Sequence, residues 1–201
     1  MSRLLAFSSV VIFALTVRSG LAFDGQRSGF ILGGAVGGAF LSNKFPERLL
    51  SNQVPWMVSP SGGRYTAYEP ALATEIKVGY APSSTLELHL SWKRSWWHED
   101  KLEYIFEKKE VTAKLDLFAI GVTKYLKNSG TGLFVTGGIG RAVLDGGSGS
   151  DRFTPGGSGF FAGAGYEFRK HLSVEATILY QQVNIDFDAL AIRLTLNLLE
   201  Y

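Results

Sequence analysis

The chain has 201 residues, of which 46% are hydrophobic, with 24 glycines and no cysteine. Its 20 Lys and Arg stand against 18 Asp and Glu, and no long run of one sign occurs. That balance excludes the basic patch of a nucleic-acid-binding domain, and the lack of cysteine excludes a disulfide-stapled secreted domain.

At the amino end, Arg3 precedes an apolar run from Leu4 to Val17, followed by Gly20-Leu21-Ala22. This is the order of a secretory signal peptide, with cleavage between Ala22 and Phe23. A membrane-spanning helix needs about 20 apolar residues, and Arg18 interrupts this run. Residues 1–22 are therefore read as a signal peptide and residues 23–201 as one domain. Removing Arg3 and Arg18 takes the 20 basic residues to 18, equal to the 18 acidic ones, so the mature chain is neutral.

Along that domain the dominant signal is period-2 alternation, which sends successive side chains to opposite faces of a strand. Residues 28–41 are apolar on both faces, one face carrying Gly33, Ala35, Gly37 and Ala39. A long connection, 42–70, follows, with Phe45, Leu49, Leu50 and Trp56. Residues 71–81 set Leu72, Ile76, Val78 and Tyr80 against Glu75 and Lys77. Residues 85–93 set Leu86, Leu88, Leu90 and Trp92 against Glu87, His89 and Lys93. Residues 110–126 begin with Lys114 and Asp116 on one face and then turn apolar on both. Residues 133–144 have ambiguous parity. Residues 159–168 and 172–181 alternate again, with Glu167 and Glu175 on their polar faces. Residues 189–201 close the chain with Arg193 among leucines.

That makes eight predicted strands. The connections at 82–84, 127–132 and 169–171 are short; the others are longer or more polar. Alternating short and long connections describe an all-β, antiparallel, up-and-down barrel with one plain end and one elaborated end. Transmembrane barrels have this asymmetry, together with aromatic girdles at both interfaces. Tyr80, Tyr125, Tyr166 and Tyr201 are expected to form the inner girdle, and Trp92, Trp96, Trp97 and Tyr180 the outer one. A charge on the lipid face costs about 2–4 kcal/mol for Arg or Lys at the midplane. Glu75, Lys77, Glu87, His89, Lys93, Lys114, Asp116, Glu167, Glu175 and Arg193 are therefore expected in the lumen.

The segments FDGQRSGFILGGAVGG (23–38), ALATEIKVGYAPSSTLELHLSWKRSWW (71–97), LFVTGGIG (133–140) and GFFAGAGYEFRKHLSVEAT (159–177) resemble the small bacterial outer-membrane β-barrels, the OmpX-, OmpW- and OmpA-like group. The resemblance implies an eight-stranded transmembrane barrel in the outer membrane, with a periplasmic amino end. It also implies a last strand read by the outer-membrane assembly machinery, and contact with outer-membrane lipid and lipopolysaccharide. A monomer is expected. In the family the final residue is usually aromatic, with apolar residues at alternate positions before it. Tyr201 and Leu199 fit, but Ile192, Leu194, Leu196 and Leu198 have the other parity. A β-bulge at Leu198-Leu199 would reconcile the two sets.

Chemistry is sparse. An eight-stranded lumen is just filled by side chains, so a wide pore is not expected, although the Gly and Ala face of the first strand leaves room for a narrow path. No metal-ligand spacing or phosphate loop occurs, and no cofactor is expected. His171 reads as a solvated turn residue and His89 as a structural lumen residue. The only catalytic candidate is the His98, Glu99 and Asp100 cluster beside Trp96 and Trp97, which would serve lipid A chemistry as in the palmitoyl-transferase barrels. The His-x-Ser-Asn motif of the lipid A deacylase barrels is absent. The expectation is a non-enzymatic barrel serving envelope integrity, surface binding through its loops, or limited passage of a small solute.

Overall fold

A computed structural model describes residues 28–46, 64–98, 112–127, 131–145, 155–183 and 187–201. Eight strands occur in chain order: β1 (Gly29–Pro46), β2 (Arg64–Ser83), β3 (Leu86–His98), β4 (Thr112–Tyr125), β5 (Gly132–Asp145), β6 (Gly156–Arg169), β7 (Leu172–Gln182) and β8 (Asp188–Glu200). Each strand pairs antiparallel with the next, and β8 pairs with β1, closing the barrel. The ring leaves no sheet edge. The predicted signal peptide, with its Ala22-Phe23 cleavage point, lies outside the described residues, as does segment 47–63 of the long connection.

The first hairpin is longer than the alternation predicts. Residues 42–46 and 64–70, read as loop, continue β1 and β2, with Leu41 opposite Glu69 and Pro46 opposite Arg64. No hydrophobic alternation marks this extension, because period-2 patterning is enforced only where one face is buried.

The outward face is predominantly apolar, with Lys44, Arg94, Lys114, Asp116, Lys124 and Arg141 among its exceptions. Ile139 is 72% exposed, Ile120 68% and Leu194 60%. Soluble monomers rarely carry contiguous apolar patches beyond a few hundred Å²; here the patch is the whole wall. The inward face carries the charges, so the barrel is inverted relative to one that sits in water. The membrane choice of parity is the one the fold adopts.

Three expectations about orientation are corrected. The first concerns the end of β8, which has no bulge. Leu198 pairs with Gly34 and Leu199 with Gly33 in unbroken register, and the register irregularities among the described residues fall instead beside short turns, at 80–83 in the β2–β3 pairing and 167–169 in the β6–β7 pairing. Leu199 and Tyr201 therefore share the parity of Arg193 and point inward. Second, Tyr125, Tyr201 and Trp97 are 4%, 2% and 3% exposed; they fill the barrel rather than its girdles. Third, Lys114 and Asp116 have the parity of the exposed Phe118 and Ile120 and face outward. Leu115, Leu117 and Ala119 take the inward positions of that stretch.

The closest backbone approach at the β1–β8 seam is at Gly37. A Cβ on inward-facing Gly37 would lie 2.7 Å from Thr195 Cα and closer still to the Leu194 carbonyl oxygen, both backbone atoms of β8. A Cβ on the next residue, outward-facing Gly38, meets nothing within 4 Å. Gly37→Ala is expected to lower barrel stability by about 1–3 kcal/mol through overpacking, with Gly38→Ala neutral. Urea titration in detergent micelles measures both, and an equal loss at the two positions would contradict the seam geometry.

Candidate functional site: the lumen and its rims

The lumen has three tiers. At the long-loop end, Leu41, Trp97, Leu115, Leu117, Phe161, Leu179, Val183 and Phe187 pack with several alanines into a continuous apolar core. This is a dry plug, built where β4 and β7 are apolar on both faces. The sequence reading missed it. The signal was present: Phe161 and Leu179 interrupt the polar faces of β6 and β7 at their loop-end halves.

Below the plug lies a charged waist. Glu75, Lys77, Glu87, His89, Lys93, Glu175 and Arg193 all point inward and are at most 7% exposed. Lys93 is its centre. Its Nζ donates to Glu75 Oε2 at 2.5 Å and lies 3.6 Å from Glu175 Oε1. It also sits 4.3 Å from the centroid of the Phe161 ring, so Phe161 divides plug from waist and covers the ammonium group with its π-face. Arg193 reaches across β1 to donate from Nη2 to the Thr74 carbonyl at 2.8 Å. The ring of His89 lies 6.3 Å from that of Phe161. Gly121 leaves the space both rings use, since a Cβ there would be 2.6 Å from His89 Nε2 and 2.8 Å from Phe161 Cζ.

At the short-turn end, Ile31, Ala81, Leu199 and Tyr201 form a floor. Tyr125 and Phe134 add to the packing there, with ring centroids 5.2 Å apart. Glu167, also inward, accepts from the Tyr201 hydroxyl at 2.6 Å and from the His171 backbone N–H at 3.2 Å. His171 is not a solvated turn residue. It takes the left-handed conformation, φ 71°, at the corner between β6 and β7. From there its Nδ1 donates to the Leu199 carbonyl at 2.7 Å, while Leu199 N–H donates back to the His171 carbonyl at 2.9 Å. The rings of His171 and Tyr201 are 4.6 Å apart. The last residues of β8 are thus clamped to the β6–β7 turn. Between floor and waist, a cavity of about 10 Å³ lined by Glu75, Lys77 and Glu175 has room for one water.

Outside, Tyr80 and Tyr166 are exposed at the short-turn end, and Trp92, Trp96 and Tyr180 are half-buried on the outward face towards the loops. Asp116 is only 4% exposed although it faces outward. Arg94 covers it with two bonds, Nε to Oδ1 at 2.6 Å and Nη2 to Oδ2 at 2.8 Å, and Trp92 Nε1 donates to Oδ1 at 2.9 Å. The Arg94 guanidinium lies 4.5 Å from the Trp92 ring and 5.8 Å from Trp96. Lys114 and Asp145 approach to 3.7 Å nearby. A bidentate pair under aromatic cover makes a carboxylate tolerable on an apolar wall. The predicted cluster of His98, Glu99 and Asp100 lies outside the described side chains. Among the described residues no group of His, Asp and Glu has the geometry of a metal site.

No protein-family model matches the chain, and no curated protein matches it. Solved structures do. The attachment invasion locus protein Ail of Yersinia pestis matches with a TM-score of 0.51 and 10% identity, over 85% of this chain and 98% of that one. Neisserial surface protein A matches with a TM-score of 0.50 and 11% identity, over 84% and 96%. The fold is that of the small outer-membrane β-barrels. At these identities the likeness is one of architecture, and the lumen contacts above belong to this chain.

Two outcomes test the lumen. Lys93→Met removes the cation in contact with both Glu75 and Glu175, leaving three waist carboxylates to Lys77 and Arg193, and is expected to cost about 3–5 kcal/mol. Adding Glu75→Gln, which leaves Glu87 and Glu175 against Lys77 and Arg193, should recover most of that in chemical unfolding. Tyr201→Phe, which removes a hydrogen bond to a carboxylate, is expected to cost about 1.5–3 kcal/mol. It should also speed amide exchange at Leu199 and His171 relative to mid-strand amides.

Proposed function

We propose that this chain is an integral outer-membrane β-barrel that seals its own lumen and acts as a non-enzymatic envelope protein, a membrane-held platform for the long loops. The short turns then face the periplasm and the long loops the outside. The apolar wall supports the membrane location, and the fold shared with outer-membrane barrels supports the choice of membrane. The single observation that carries the sealed reading is the plug from Leu41 to Phe187, with the Tyr201 floor beneath it. A solute path would have to cross a core packed with Trp97, Leu115, Leu117 and Phe161. The narrow-path expectation is therefore the weaker one. Monomeric insertion by the assembly machinery, and contact of the outer rim with lipopolysaccharide, belong to the same proposal. The Arg94, Trp92 and Trp96 stack supports that contact, since aromatic side chains with a cation suit the zone where headgroups meet hydrocarbon.

Single-channel recording in planar bilayers tests this directly. The folded full chain is expected to give no steady open-channel current, whereas a persistent conductance from the unmodified protein would refute the sealed lumen. Mass spectrometry of lipid A from cells with and without the protein tests the non-enzymatic part. The acyl pattern is expected to be unchanged, and a protein-dependent change would favour the alternative, a lipid A-modifying enzyme using His98, Glu99 and Asp100.

A further inference from the structure

Both rims carry exposed outward cations, but they are placed differently. At the loop end Arg94 pairs with Asp116 and Lys114 with Asp145, while Lys44 on β1 and Arg141 on β5 are exposed and isolated on separate strands. At the turn end four exposed cations are gathered together. Lys124 faces outward at the foot of β4, Lys127 lies in the turn to β5, and Arg169 and Lys170 lie in the turn to β7; all four are exposed. None makes an ion pair among the described residues. Lys124 has one side-chain bond, Nζ to Thr85 Oγ1 at 3.1 Å. The carboxylates at that end are used elsewhere or stand apart. Glu87 and Glu167 point inward, and Glu200, at the end of β8 between β7 and β1, pairs with none of the four.

These cations are gathered on one side. β4, β5, β6 and β7 are consecutive neighbours, and at about 4.8 Å per strand they span an arc of roughly 15 Å. The turn between β2 and β3, Ser83 to Thr85, carries no charge. The arc lies directly against the apolar wall. Leu126 is 61% exposed, Leu133 55% and Phe168 48%, and Arg169 and Lys170 follow Phe168 in the chain. Long cationic side chains placed beside apolar surface lay their stems along it and put their heads at the interface.

We propose that this arc of Lys124, Lys127, Arg169 and Lys170 is a docking surface for anionic phospholipid headgroups of the inner leaflet. The inference rests on the membrane reading above. A phosphodiester carrying net negative charge complements four cations that lack a carboxylate partner, and its acyl chains continue onto Leu126, Leu133 and Phe168. The zwitterionic headgroup brings its own cation and is disfavoured by the same arc.

The test uses the full folded chain in nanodiscs made from equal parts of zwitterionic phosphatidylcholine and anionic phosphatidylglycerol, then extracted in mild detergent. Retained lipid is counted by mass spectrometry. The protein is expected to favour phosphatidylglycerol about tenfold, since each cation near an anionic surface is worth about fivefold in the ideal case. Lys124→Gln, Lys127→Gln, Arg169→Gln and Lys170→Gln together should bring retention to parity, as should about 1 M salt, where the screening length falls to about 3 Å. Lys114→Gln at the other rim should leave it unchanged. Parity in the unmodified protein, folded and embedded, would overturn the docking surface while leaving the membrane reading intact. A preference that survives the four substitutions would also overturn it. So would isolated peptidoglycan that captures the unmodified chain but not the variant while lipid retention stays the same. Failure to enter nanodiscs at all would overturn both readings.

Discussion

Closure of β1 onto β8 is the constraint on which the rest depends. An open eight-stranded sheet would present two rows of unpaired backbone donors and acceptors, which hydrocarbon cannot satisfy. Once the ring closes, every strand is held in register on both sides, and side-chain parity is no longer a local choice. A slip of one residue anywhere would carry the charges to the apolar wall. Leu199 and Tyr201 show how strict this is. They point inward because the register from Lys44 opposite Asp188 to Leu32 opposite Glu200 runs without interruption.

The closed ring is narrow, and what fills it decides what it does. The plug behaves as the core of a soluble domain, with Leu115, Leu117, Phe161 and Leu179 almost fully buried. The waist is different in kind. Lys93 between Glu75 and Glu175 gains from the low dielectric around it, but all three charges had to leave water first. Such a triad contributes more to a single arrangement of side chains than to net stability. It holds Lys93 beneath Phe161 and so ties the polar tier to the apolar one. At the base, the Glu167, His171 and Tyr201 contacts fasten the end of the chain to a neighbouring turn.

The exterior shows how a charge is kept on an apolar wall. Asp116 is accepted there because Arg94 and Trp92 supply three hydrogen bonds to its two oxygens. The turn end solves no such problem, because Lys124, Lys127, Arg169 and Lys170 reach past the wall and stay exposed. The two rims therefore differ in how their cations are placed: paired or scattered at the loop end, and gathered on one arc at the turn end.

By itself, the sequence determined the strand number, the up-and-down order and the face that carries Glu75, Lys77, Glu87, His89, Lys93, Glu175 and Arg193. Those follow from period-2 alternation and from the cost of a charge on hydrocarbon, both local in the chain. Tertiary structure alone decided the rest. Lys114 and Asp116 face outward because Leu115 and Leu117 are needed to fill the plug, and Asp116 finds its cation on β3. Tyr125, Tyr201 and Trp97 left the girdles because ring closure set their parity. His171 acquired partners from β8, 28 residues away in the chain. Alternation along one strand says which residues share a face. Which face turns inward at each rim, and what it meets there, is settled only when all eight strands share one circumference.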